Sequence, residues 1–356
     1  MKQTFCRILL LFALFAGGDL SAQEFLWDVQ FDTRFDNREY SGSKLATSQT
    51  LFGARLTPNI GLGWGEGNSL MVGGDLSADF GSKHFNPRAK IEMYYAYESE
   101  KYHAVAGLFP RTRLIGDYSL AIFSDSTRFY DNTLEGFLLQ YTARDGYVEL
   151  GIDWDGMYDR ESRESFRIFS SGAIRKGLFW GDYAFSMYHL AGSEQTMGVV
   201  DYLILQPRVG LALERIVPLD KLSFSVGWLQ SLQRDRIYDD RFNYPGGLQL
   251  EAVIEKWGVG IREMAYIGKN QMLYYDRYGS RLYTGDPFFR TPDGFYNRAE
   301  LYWHPVRRSD IDLQIGLVFH YDGRALVSQQ TAQLAIYLNN NSFRKKPKPA
   351  ACPEEG

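Results

Sequence analysis

Ile311-Asp312-Leu313-Gln314-Ile315-Gly316-Leu317-Val318-Phe319-His320 is followed, after a polar gap, by Ala332-Gln333-Leu334-Ala335-Ile336-Tyr337-Leu338. Both runs alternate with a period of two, which is strand periodicity. Ile311, Leu313, Ile315, Leu317 and Phe319 share one side with Ala332, Leu334, Ile336 and Leu338. Asp312, Gln314, Gly316, His320, Gln333 and Tyr337 share the other, with Val318 and Ala335 as exceptions. A sheet built from end to end of such strands has a greasy outside and a polar inside. That pattern predicts a transmembrane antiparallel β-barrel.

The same two-faced pattern recurs along the chain. Phe25, Trp27, Val29, Phe31, Thr33 and Phe35 alternate with Asp28, Gln30, Asp32, Arg34 and Asp36. Phe52 to Trp64 repeats it, with Pro58 predicting a bulge because proline cannot donate to a ladder. The pattern predicts about sixteen strands of roughly 8–13 residues, a length that suits tilted membrane strands. Starting after the first strand, connections alternate between longer loops near 42, 84, 121, 160, 194, 239, 282 and 325 and short turns near 66, 99, 145, 180, 218, 256 and 307. Long connections are expected over 110–132, 233–245 and 269–294. Such asymmetry suits a membrane barrel with short turns on one side and long loops on the other. A soluble sandwich array or propeller is the alternative, and no internal repeat supports it.

Composition agrees. The 356 residues include 24 Tyr, 24 Phe and 35 Gly, which suit strands, interfaces and tight turns. A mean hydropathy of -0.31 argues against a helical membrane protein. The formal charge of -4 argues against nucleic acid as a partner. Lys2 and Arg7 precede the apolar run Ile8 to Ala16, and Ser21-Ala22 suits cleavage, so residues 1–22 read as a signal peptide. The barrel is expected over 23–339 and a disordered Lys/Pro-rich tail over 340–356. Cys6 leaves with the signal, and Cys352 then has no partner for an internal disulfide.

These features together resemble a Gram-negative outer-membrane β-barrel, similar in size to the general diffusion porins. The resemblance covers nearly the whole mature chain and is one of architecture, without a short diagnostic motif. It implies a third external loop, here 110–132, folded into the lumen. It also implies outer-membrane lipid, the barrel assembly machinery and small hydrophilic solutes as partners, and a homo-oligomer is compatible with it. The chain departs from the family at its end: 18 residues follow Leu338, and the last strand carries no terminal aromatic. That departure bears on kinship and trimerisation, not on the barrel.

The candidate lumen residues carry both signs. Arg55, Arg88, Lys90, Arg167, Arg175, Arg208, Arg262 and Arg298 are the basic set. Asp28, Asp32, Asp75, Asp79, Glu92, Glu149, Asp153, Glu251 and Glu300 are the acidic set. Wall charges of this kind sort solutes in a water-filled channel; a self-satisfied polar lumen is the plainer reading. With the inward loop, Arg111, Arg113, Asp117 and Asp125 form the expected constriction opposite the wall arginines. The aromatics of 272–289 suit sugar binding or, more simply, loop packing. His84, His103, His189, His304 and His320 leave a catalytic triad open. There is, however, no nucleophile-elbow GxSxG, no HExxH and no phosphate loop. The expectation is therefore a porin-like channel for passive diffusion, not an enzyme, with no cofactor and no metal. A barrel with a plugged lumen in a structural or adhesion role, and a barrel hydrolase, are the alternatives.

Overall fold

The computed structural model describes residues 23–82, 87–340 and 342. The expected signal peptide, most of the expected tail, both cysteines and His84 lie outside these residues. Sixteen antiparallel strands form one closed sheet. They are β1 (Glu24–Glu39), β2 (Gln49–Trp64), β3 (Asn68–Asp79), β4 (Arg88–Glu98), β5 (Tyr102–Pro110), β6 (Thr133–Ala143), β7 (Gly146–Gly156) and β8 (Ser165–Lys176). There follow β9 (Phe179–Leu190), β10 (Val200–Ala212), β11 (Lys221–Asp235), β12 (Gly246–Lys256, preceded by a short extension Asp239–Asn243), β13 (Val259–Gly268), β14 (Phe295–Arg307), β15 (Ile311–Tyr321) and β16 (Leu326–Asn339). Each strand pairs with its neighbours in sequence, and β16 closes on β1 from Asp28↔Asn339 to Glu39↔Ser328. Closure leaves no unpaired strand edge, which lipid would not tolerate.

Alternation places the apolar set outside. Ile60, Ile91, Phe137, Val209 and Leu301 are exposed, while Asp32, Arg55, Glu92, Arg208 and Glu300 are buried inside. The two exceptions in the closing pair now have a reason. Val318 is 1% exposed and faces the filled lumen, and Ala335 lines an inner cavity.

The short turns are tight. Trp257 (φ 53°) and Gly258 (φ 76°) link β12 to β13 with Lys256 opposite Val259. Two positive φ values in a two-residue loop are the signature of a twist-matched hairpin. Trp257 projects outward, 84% exposed. Trp64 and Trp303 are also exposed near this rim, as an interface girdle requires.

Two expectations need correction. Pro58 makes no bulge: the β2–β3 pairing skips Thr57 and Pro58 and resumes unchanged, Leu56↔Leu76 then Asn59↔Gly73. The stretch 233–245 is not all loop. β11 continues to Asp235, and Asp239–Asn243 folds back on it through Gln233↔Asn243 and Asp235↔Asp239. Alternation is masked there because the outward Arg234 is charged, like its polar inward neighbours Gln233 and Asp235.

Candidate functional site

The lumen is filled by two loops. The first, 111–132, leaves β5, crosses the interior and ends in the one-and-a-half-turn helix α1 (Asp125–Tyr130). Ser124 caps α1, its Oγ accepting from Thr127 N at 3.2 Å, as an N-cap serine should. The second loop, 269–294, descends between β13 and β14. The two meet through main-chain bonds. Asp286 N donates to Leu120 O at 2.7 Å and Ser124 N to Thr284 O at 2.9 Å. Thr127 Oγ1 donates to Thr284 O at 2.6 Å, and Thr284 Oγ1 to Ile122 O at 2.7 Å. Around this contact lie Ile122, Phe123, Leu282, Tyr283, Phe288 and Phe289, each no more than 2% exposed. Phe288 stacks on His320 at 4.4 Å. The aromatic loop is thus part of a buried core, in line with the packing reading.

Loop charges dock on wall charges. Asp117 Oδ2 lies 2.9 Å from Arg208 Nη2, which also meets Asp182 at 2.7 Å, while Arg208 Nη1 meets Glu251 at 3.1 Å. Asp125 Oδ2 lies 3.5 Å from Arg298 and 3.8 Å from Arg34. Although surrounding protein pushes both loop carboxyls up, their arginines dominate. Arg208 holds Asp117 below the usual value, and Arg34 with Arg298 holds Asp125 at about 2. Both remain in reach of lumen water, their side chains 72% and 35% exposed.

The other expected lumen residues fall as follows. Arg55 pairs with Asp32 at 3.1 Å and donates to Phe129 O. Arg111 pairs with Asp131 at 2.7 Å and lies 4.8 Å from the Phe123 ring. Arg113 joins Glu98 and donates to Tyr94 Oη. Arg167 lies 4.6 Å from the Tyr188 ring and donates to Ser186. Arg262 and Arg298 share Glu300, at 3.1 and 2.8 Å. Lys90 meets Asp131 at 3.3 Å, Arg88 pairs with Asp79 at the long-loop rim, and Arg175 meets Glu214 at the short-turn rim. Beneath the plug lies a cavity of about 390 Å³ beside β1, β2 and β15, and a second of about 540 Å³ beside β9 to β13. Arg34, Arg38, Gln233 and Asp235 also act here and were not among the expected residues. Gln233 accepts from Tyr283 Oη at 2.6 Å, and Asp235 pairs with Arg277 at 2.5 Å. They anchor the second loop, and their assignment to a loop hid them.

A different constellation lies outside the barrel. Trp154, Phe166, His189, Asp201 and Arg234 are consecutive cross-strand partners on β7 to β11. All alternate with lumen-facing neighbours, so the row faces outward near the long-loop rim. Trp154 stacks on Phe166 at 5.1 Å, and Phe166 lies 5.1 Å from His189. His189 Nδ1 is 3.0 Å from Asp201 Oδ1. Arg234 and Arg236 hold the other oxygen of Asp201 at 2.9 and 2.8 Å. Such a held carboxylate fixes the imidazole's orientation and leaves Nε2 for chemistry. Among the described residues no serine or threonine hydroxyl hydrogen-bonds to His189. The other described histidines sit elsewhere, His103 on β5 opposite Glu98 and Gln140. His304 meets Asp312 at 2.7 Å inside the short-turn rim, and His320 is 1% exposed between Tyr296 and Gln329.

Fold and rim together define an outer-membrane β-barrel. The chain belongs to the lipid A 3'-O-deacylase-type family, whose model matches residues 20–345. That family is one of enzymes, and membership overturns the expectation that this protein is not an enzyme. The absence of GxSxG, HExxH and a phosphate loop therefore does not bear on this activity. Among solved structures, a double variant of OccD1 (OprD) is 12% identical over 90% of this chain and 98% of its own, with a TM-score of 0.51. A loop-deletion form of OmpT, an outer membrane protein of Vibrio cholerae, is 10% identical over 89% of this chain and 100% of its own, with a TM-score of 0.50. At these identities the likeness is one of fold alone. No curated protein matches the chain.

Proposed function

We propose that this barrel hydrolyses an acyl ester of an acylated glycolipid of the lipid A class from the outer leaflet, at the outward row. The observation that carries this reading is the His189–Asp201 pair, on the lipid-facing side at the rim where such esters lie. The ester carbonyl sits at the boundary between sugar and hydrocarbon. His189 Nε2 takes a proton from water as the oxygen attacks that carbonyl. The carbonyl carbon–alkoxy bond then breaks, the alkoxide receives the proton, and a fatty acid and a free hydroxyl remain. Asp201 steadies the imidazolium, while Trp154 and Phe166 offer an apolar flank to the acyl chain. Incubating folded protein with lipid A in mixed micelles and weighing the products tests this. A loss of one acyl chain that His189→Ala abolishes supports it; deacylation unchanged in that variant rejects it.

A second reading is carried by the Asp117–Arg208 contact. Here small hydrophilic solutes pass by diffusion through the charged lumen, with the inward loop as a gate. Planar-bilayer conductance before and after Asp117→Asn tests it, and an electrically silent barrel in both forms rejects it.

A further inference from the structure

Asp28, Asn59, Gly73 and Glu92 are consecutive cross-strand partners on the inward face of β1 to β4. Gly73 carries no side chain, so Glu92 reaches across it to Asn59. Asn59 Nδ2 donates to Glu92 Oε2 at 2.9 Å and to Asp28 Oδ1 at 3.3 Å. Both amide hydrogens are thereby spent on carboxylates, and what remains in the row is acceptors. Asn59 Oδ1 and Glu92 Oε1 are buried without a hydrogen-bond partner, as is Thr57 Oγ1 one step along the inward face of β2. Thr57, Asn59 and Glu92 are each no more than 2% exposed. Polar atoms left this way inside a protein are costly.

Charge in the row is uncompensated as well. Among the described residues no guanidinium or ammonium forms an ion pair with Asp28 or Glu92. Arg55 is turned to Asp32 at 3.1 Å, and Arg113 to Glu98 and Tyr94 Oη. Asp28, Thr57 and Asn59 line the cavity of about 390 Å³ beneath the plug. Its other charged lining residues are matched within the wall: Arg308 with Asp310 at 2.6 Å, and Asp312 with His304 at 2.7 Å. Tyr94, Pro110 and Ala335 give it apolar surface. The β14–β15 turn, residues 308–310, forms one edge, so solutes reach the cavity from the short-turn side.

We propose that this cavity binds a small primary amine, its ammonium on Asp28 beside the oxygens of Thr57 and Asn59. An ammonium brings one positive charge and three donors, the complement of a carboxylate flanked by unpartnered acceptors. Glu92 adds negative potential from behind the wall of the cavity. A metal ion is the poorer match. The Asn59 amide stands between the two carboxylates, and among the described residues no third carboxylate, histidine or cysteine completes a ligand set. The volume is that of a small-molecule pocket, with room for a short hydrocarbon against Tyr94 and Pro110. The site is separate from the outward row of β7 to β11, and binding there requires neither hydrolysis at that row nor passage of solutes through the lumen.

Isothermal titration calorimetry of the folded full-length protein with n-butylammonium chloride tests this. Saturable binding to wild type is expected, with sodium butyrate and n-butanol silent. Asp28→Asn, which keeps the shape and removes the charge, is expected to weaken the amine roughly tenfold or more. Ala335→Trp, which fills the cavity from β16, is expected to abolish binding. Asp79→Asn, at the long-loop rim, is expected to bind as wild type does. Unheated gel mobility verifies the fold of every variant. Absence of saturable amine binding to wild type overturns the proposal, including the case in which calcium chloride binds and the amine does not. So does binding that either Asp28→Asn or Ala335→Trp leaves unchanged, an equal loss in Asp79→Asn, or butyrate binding as tightly as the amine.

Discussion

Asp117 on the inward loop and Arg208 on β10 meet at 2.9 Å, 91 residues apart in sequence. Arg208 is the hub of that contact, since Asp182 and Glu251 share the same guanidinium. Replacing Arg208 by alanine leaves three carboxylates facing one another. Removing one partner of a buried ion pair typically costs about 3–5 kcal/mol. The expected outcome is a lower urea midpoint for Arg208→Ala, with Asp117→Asn much milder because Asp182 and Glu251 remain. Equal midpoints for the two variants would show that Arg208 is not the hub.

The plug itself has a tight point. A Cβ on Gly285 would lie 2.1 Å from Ala121 O. Gly285→Val is therefore expected to push the two loops apart while the wall stays closed. Overpacking of this kind costs typically about 1–3 kcal/mol. Proteolysis within the loop stretches 111–132 and 269–294 of the folded barrel should rise, with heat-modifiable gel mobility unchanged. Loops as resistant as in wild type would reject the contact.

Acid should spare the docked loop until low pH. Asp125 is held at about 2 in place against an ordinary 3.8, and Asp117 is also lowered. A depressed carboxyl stabilises its docked form above the ordinary value, and that contribution is lost as pH falls through the docked one. The loop is thus expected to stay protected from hydrogen exchange at pH 4–5 and to loosen between about 4 and about 2. Loosening already at pH 5–6 would contradict the Arg34 and Arg298 contacts.

At the outward row, Asp201→Asn keeps the shape but weakens the hold on His189. A positioned acid–base group is worth roughly 10²–10⁴ in rate. Deacylation by Asp201→Asn is expected to fall by that order, with micelle binding retained. A drop in binding without a drop in turnover would place Asp201 in recognition only.

Closure supplies the fifth test. Deleting residues 333–338 removes half of the β16 partners of β1 and is expected to abolish assembly. Deleting 345–356 is expected to leave it intact. Outer-membrane fractionation reads both.

The barrel was legible because period-two alternation is imposed by lipid on every strand, and Phe25 to Asp36 shows it as plainly as Ile311 to Phe319. The rhythm of turns and loops gave the strand number for the same reason. What stayed hidden depends on contacts between distant segments. That Asp117 finds Arg208, or that Thr284 finds Ile122, is not a periodic property. The inward course of 110–132 was expected from the family resemblance, but its joint with 269–294 was not, since the buried aromatics there sit in irregular backbone. His189 and Asp201 mark an intermediate case. They lie equally far from the centre of one hairpin loop, so pairing register alone would have set them side by side. What concealed them is their place on the outward side of the wall, where apolar residues are the rule.

The two plug loops come from opposite parts of the chain, and their joint carries consequences for assembly. Residues 120–127 and 284–286 are held on separate walls until β16 has found β1. Only a correctly closed cylinder, with neither strand missing nor slipped, brings Leu120 and Asp286 to bonding distance. A misregistered barrel is therefore expected to keep its loops apart, with their aromatics exposed and open to proteases, whereas a faithful one seals itself from within.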